Sequence, residues 1–242
     1  MCKNIIKQIK SIINKRGSMS RTNNKPSVLW LQNFIEFTDF EIDPIVSFIN
    51  ETSHMINEKQ SEIDNKFQEW ERMHENDPDM PSAFDVFENE IFEHERFSTI
   101  LLQSTFITIY SKLENTFFDI CEFCRKNFEH SIDVKDLAGR NYIQRFKKYL
   151  KLVIGINLSS IETDWNDIIK YQRIRNTFVH KGGEIKNIES DLETFINNTD
   201  GISYDLSTKK IVLESIKFNI DFCNIVKQFI SINITEIINQ KS

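Results

Sequence analysis

Hydrophobic positions recur at helical intervals along most of this chain. Ile45, Phe48, Ile49, Met55, Ile56, Ile63, Phe67 and Trp70 return every three, four or seven residues, which gathers them on one stripe and predicts a long amphipathic helix. Its expected start is Asp43-Pro44, with Asp accepting from first-turn amides and Pro sitting where its missing N–H is not needed; its expected stop is Asp77-Pro78. Residues 82–130 contain neither Gly nor Pro, and Phe84, Phe87, Ile91, Phe97, Leu101, Phe106, Tyr110, Leu113, Phe117 and Cys121 hold one stripe there. This is the expected longest helix and the spine of the core.

Residues 134–154 predict another helix, with Tyr142, Phe146, Tyr149, Leu150 and Val153 inward and Arg140, Arg145, Lys147, Lys148 and Lys151 on a basic face. Either Ser159 with Glu162 or Thr163-Asp164 caps the next one, residues 165–181, which Gly182-Gly183 ends. After a helix near residues 184–197, residues 202–206 alternate as a strand and residues 210–213 as its return. Ser215 then caps a last helix with Phe218, Phe222, Val226, Phe229 and Ile230 inward. The expected fold class is all-α: a helical bundle of long amphipathic helices with a small β-hairpin before the last helix.

Ahead of these elements, Ile5, Ile6, Ile9, Ile12 and Ile13 fall at helical spacing among Lys3, Lys7, Lys10 and Lys15, followed by a Ser-, Asn- and Arg-rich linker at residues 17–26. The expected organisation is a basic N-terminal arm, residues 1–40, and a helical domain, residues 41–242. The basic segment is either a contact for a membrane surface or partner, or a helix that lays its Ile stripe on the domain or on a neighbouring subunit.

Composition fits a folded chain. Of 242 residues 20 are Phe, against 6 Gly and 4 Pro, which excludes a disordered protein. No stretch is long and apolar enough to span a membrane, no signal-peptide pattern opens the chain, and four cysteines are too few for a disulfide framework; a cytoplasmic protein is expected. Charge is segregated: residues 1–35 hold seven Lys or Arg and no acid, whereas residues 36–100 hold 18 acids and four Lys or Arg. With a net charge of -6, the chain is excluded as a general nucleic-acid binder, and any RNA contact is local.

Cys121-Glu-Phe-Cys124 is a lone C-x-x-C without a second pair, and reads as buried small hydrophobes. His54 and His74 have no metal-ligand spacing, so neither metal nor cofactor is expected. Glu114 sits inside an apolar run and requires a cationic partner if half-buried, with Arg175 the candidate. The densest chemistry is Tyr171-Gln-Arg-Ile-Arg-Asn-Thr-Phe-Val-His180-Lys-Gly-Gly183, where a cation, an amide and an imidazole gather at a helix end. Asn176 and His180 share a helix face with Arg173 close by, while positions five apart are turned by about 140°, so Arg175 and His180 are not neighbours on one regular helix. They meet if the helix end distorts, if the Arg175 side chain curls round, or if two copies of the helix meet at a two-fold axis; the last is the preferred expectation.

Arg175-Asn-Thr-Phe-Val-His180 resembles the R-x4-6-H signature of the HEPN superfamily, in its four-spaced form with a polar residue after the Arg. The resemblance spans roughly residues 84–240. It implies a metal-independent endoribonuclease cutting by 2′-hydroxyl transesterification at a homodimer interface, acting as a toxin or phage-defence effector under an inhibitory or sensor partner protein. His180 would be the general base or acid, Arg175 would hold the scissile phosphate, and Asn176 would orient the imidazole or bind a phosphate oxygen. Arg173, Lys181, Lys170, Arg145 and Lys148 are the RNA-binding candidates. Some family toxins carry a Tyr two residues after the His that is nucleotidylated; Gly182 stands there, which argues against that regulation. The alternative is a catalytically inactive helical domain that binds a partner protein or a nucleotide, with Arg175 paired to Glu114 and His180 complementing the helix dipole.

Overall fold

The computed structural model describes residues 28–75, 77, 79–139 and 141–241. The expected basic helix at 4–15 and its linker lie outside the described residues. Six α-helices and a two-stranded sheet make up the described chain, as the all-α expectation with one hairpin required: α1 (Asn33–His74), α2 (Ala83–Asn127), α3 (Tyr142–Lys148), α4 (Glu162–Lys181), α5 (Ser190–Asn197), β1 (Ile202–Asp205), β2 (Lys210–Leu213) and α6 (Ile216–Lys241). The strands pair antiparallel, with Ile202 opposite Leu213.

Helix α1 begins ten residues before the expected Asp43-Pro44 start, so Pro44 lies inside it. A proline in a helix interior loses one hydrogen bond and costs about 3 kcal/mol. Upstream packing overrides that: a 3-10 turn (Val28–Gln32) enters α1, and Val28, Leu31, Thr38 and Ile42 are all buried in the core. Each fully buried aliphatic side chain contributes about 1.5–3 kcal/mol, enough together to hold the helix through the proline. Lys227 of α6 also bonds Asp43 at 2.5 Å and Asp39 at 3.2 Å, fixing the turn of helix just before Pro44. Val28 and Leu31, which fall in the expected arm, thus pack into the same core as the helices that follow.

Ser82 and Asp85 close a capping box at the start of α2, each side chain accepting from the other's backbone N–H. Helices α1 and α2 run antiparallel, joined across their seam by Lys66–Glu90 at 2.9 Å and by Trp70 Nε1 donating to the Pro81 carbonyl at 3.2 Å. The second half of α2 is the expected spine. Phe106 meets the rings of Phe218 and Phe222 at 5.1 Å, and Phe117 meets Phe229 at 5.3 Å and Trp165 at 5.5 Å, so α2, α4 and α6 share one aromatic core.

The expected helix at 134–154 is broken. Val134–Asp136 form a 3-10 turn, Asn141 caps α3 by accepting from the Gln144 N–H, and α3 runs into a π-helical turn (Tyr149–Ile154) that Gly155 ends in the left-handed region. Gly139 lies within this interruption, where a Cβ would come within 2.8 Å of Cγ of Arg145. Tyr142, expected inward, is instead 54% exposed at the start of α3. Helix α4 starts at Glu162, earlier than expected and without a side-chain cap, and α5 starts at Ser190 because residues 184–185 bridge to β2.

Candidate functional site

Helix α4 ends as its sequence requires. Gly182 is left-handed (φ 56°) and its N–H bonds the Phe178 carbonyl, while the N–H of Gly183 bonds that of Thr177. Gly183 (φ 90°) accepts from the Ile211 N–H, and a Cβ there would sit 2.9 Å from the Ile211 carbonyl oxygen. Only glycine allows β2 to approach so closely, and that contact straps the end of α4 that carries Arg175, Asn176 and His180.

These three residues line one polar cleft of about 280 Å³ together with Gln172 of α4, Glu114 of α2, and Asn141, Tyr142 and Arg145 at the start of α3. Gln172, Asn176 and His180 are spaced i, i+4, i+8 and form the α4 wall; that periodicity was the sequence signal for Gln172. Asn141 and Tyr142 carried no such signal, because the break before α3 places them. Arg175 and His180 meet in this cleft within one chain although α4 stays regular through Lys181. The Arg175 side chain reaches Asn176 Oδ1, one residue along α4, and no hydrogen bond joins it to His180 among the described residues.

Arg175 is half-buried and incompletely satisfied. One guanidinium nitrogen donates to Asn176 Oδ1 at 3.1 Å, Nε is buried with no hydrogen-bond partner, and the guanidinium lies 5.8 Å from the Tyr110 ring centroid. The expected pairing with Glu114 is not made: the two share the cleft but form no ion pair. Burial raises the Glu114 carboxyl above its ordinary range, and the Arg175 charge only partly pulls it back. Burial likewise raises the Tyr110 phenol, with Glu114 adding and Arg175 opposing. A cation thus stands in a polar cleft that also holds the Glu114 carboxylate, with no ion pair closed between them, beside an exposed imidazole.

Of the five basic residues expected to contact RNA, Arg145 alone lines the cleft; its Nε donates to the Gly139 carbonyl and its guanidinium lies 5.3 Å from the Tyr142 ring centroid. Arg173 is engaged by Asp191 at 2.7 Å and Glu189 at 3.1 Å, and Lys170 by Asp167 at 2.9 Å. Lys148 donates to the Ala138 carbonyl at 3.0 Å, and Lys181 lines a separate hollow with Glu184 and Lys186. Lys147 of the expected basic face bonds Glu162 at 2.5 Å.

Cys121 and Cys124 are buried in the core, where burial pushes the Cys124 thiol up to about 12 and the Cys121 thiol well above its ordinary range. Among the described residues no three His, Cys, Asp or Glu side chains are gathered as metal ligands, and no helix is long and apolar enough to cross a membrane. No protein-family model, curated protein or solved structure matches the chain.

Proposed function

We propose that this protein is a metal-independent endoribonuclease of the HEPN type, acting as a toxin or phage-defence effector in the cytoplasm, with the Arg175–Asn176–His180 cleft as its active site. The observation that carries the reading is the half-buried Arg175 guanidinium, engaged in no ion pair among the described residues and set in a polar cleft beside an exposed imidazole. A phosphodiester in the cleft accepts from the guanidinium N–H groups through two parallel hydrogen bonds. The 2′-hydroxyl then attacks phosphorus, the bond to the 5′-oxygen breaks, and a 2′,3′-cyclic phosphate and a 5′-hydroxyl result. His180 takes the proton from the nucleophile or returns one to the leaving oxygen, the general acid–base role in which histidine is used most often. Arg175 stabilises the charge that develops on the phosphoryl oxygens, Asn176 fixes the guanidinium, and Arg145 supplies a second cation on the opposite wall. A homodimer that brings two such clefts together gives one copy the base and the other the acid.

The experiment is cleavage of structured RNA in EDTA by the wild-type chain, His180→Ala and Arg175→Ala. Losses of about 100-fold or more are expected in each variant, the usual scale for removing a general acid–base group or an oxyanion donor, with folding unchanged. Full activity in either variant, or dependence on added Mg²⁺ with RNA folding controlled for, overturns the proposal. A second reading is favoured by the exposed Tyr142 ring beside Arg145: a cleft that holds a nucleotide by stacking and charge without cutting it. Saturable nucleotide binding with no RNA product, abolished by Tyr142→Ala, selects that reading.

A further inference from the structure

Helix α1 carries a second apolar stripe that the body of the protein does not use. Phe37, Phe40, Pro44, Phe48 and Met55 are all exposed, and on an ideal helix they fall within about 80° of one another, centred about 120° from the buried Thr38, Ile42, Ile49 and Ile63. Phe40, Asp43, Pro44, Ser47, Phe48 and Glu51 line an open groove of about 520 Å³ on this face. Three aromatic rings in one stripe on a solvent-facing helix mark a contact surface.

Charge selects the occupant. Glu36, Glu51 and Glu58 flank the stripe, and Glu36 and Glu51 have no ion pair among the described residues. Residues 28–58 contain no Lys or Arg, so a second copy docking the same stripe would bring carboxylates of both copies together without a cation from either stripe, and an anionic membrane surface would be repelled. The surface fits an apolar helix with a basic flank. Residues 4–15 have that pattern, with Ile5, Ile6, Ile9, Ile12 and Ile13 as the stripe and Lys7, Lys10 and Lys15 beside it. Twelve residues separate this segment from Val28. Fully extended they reach about 40 Å, while along the helix Phe37 lies about 14 Å and Met55 about 40 Å from Val28, so the whole stripe is within reach.

We propose that the exposed stripe of α1 is the docking site for the chain's own basic N-terminal segment, residues 4–15, which lays its isoleucines on Phe37, Phe40, Phe48 and Met55 and its lysines against Glu36 and Glu51. The proposal is independent of the catalytic reading, because the stripe and the cleft share no residue.

Photo-crosslinking of the full chain tests it, with a benzophenone-bearing residue at position 48 and the same residue at position 73 as a distal control. Capture of a peptide from residues 3–15 within one chain is expected at position 48, independent of protein concentration and at least about 5-fold weaker from position 73. Ile6→Glu, Ile9→Glu and Ile13→Glu together should lower capture at least about 5-fold, and Glu36→Lys with Glu51→Lys at least about 2-fold at low salt. Both sets lie on surface or N-terminal positions, and an unchanged melting temperature verifies the fold. Capture of another chain with a yield that rises with concentration, capture of any other peptide, equal capture from position 73, or insensitivity to the isoleucine triple variant each overturns the proposal.

Discussion

Helix α2 has two halves with the same kind of residues and opposite fates. From Leu101 to Cys124 it buries Phe106, Tyr110, Leu113, Phe117, Ile120 and Cys121 among helices from the rest of the chain. From Ala83 to Ile100 it carries Phe84, Phe92, Phe97 and Ile100 exposed, and faces only the distal half of α1. Between residues 51 and 100 only Ile63 and Ala83 are buried among the described residues. Two paired helices bury one seam each and leave the rest of their surfaces in water; a third and fourth helix are needed to enclose a phenylalanine. The comparison separates a body, which holds the cleft, from a helical hairpin held by its seam, its capping box and a few ion pairs.

The largest effect should come from truncating the spine. Phe117→Ala should cost about 3–5 kcal/mol in denaturant unfolding, and Phe97→Ala under about 0.5 kcal/mol, because the first leaves a cavity and the second ring is already 63% exposed. Equal costs would erase the distinction between body and hairpin. Hydrogen exchange should sharpen it: amides of residues 58–95 should open at lower free energy than those of residues 101–124, and Cys121 and Cys124 should resist alkylation until global unfolding. A hairpin as protected as the spine would place it in the same cooperative unit.

Function should follow the body. Arg175→Ala should reduce RNA cleavage at least about 100-fold with little change in stability, since its guanidinium already lacks a full set of partners. A large loss of stability without a functional defect would mean that Arg175 is structural. The smallest effect concerns Glu114, whose carboxyl burial raises above 4.5. A raised folded-state pKa means the protonated form is favoured by folding: its stability contribution is complete below the unfolded pKa and is lost as pH rises through the folded value. Glu114→Gln should therefore match wild type near pH 4 and melt about 1–2 °C higher at pH 7, a modest shift because the group is partly solvated. A lower melting temperature at pH 7 would restore the Glu114–Arg175 ion pair that the structure does not contain.

How much of this was legible in the sequence differs from element to element. The periodicity of residues 45–70 located a helix, but Asp43-Pro44 placed its start ten residues late, because burial of Leu31 and Ile42 outweighs the local signal of a proline. The same stripe was assigned to one face, whereas α1 buries Ile49 and Ile63 and exposes Phe48 and Met55. Arg175, Asn176 and His180 stood out as polar groups at a Gly-terminated helix end; Gln172 was available from its spacing, and Asn141 and Tyr142 were not.

The sequence by itself determined the elements whose causes are local: the capped start of α2, the glycine stop of α4, the hairpin at residues 202–213 and the inward face of α6. Each depends on residues within a few positions of one another, so spacing and backbone preference suffice. Tertiary structure alone decided which apolar stripe is buried, that Glu114 and Arg175 share a cleft without pairing, and that a break before α3 turns Tyr142 and Arg145 onto the site. Those outcomes depend on which segments, distant in sequence, pack together, and a hydrophobic period carries no record of the partner that will cover it.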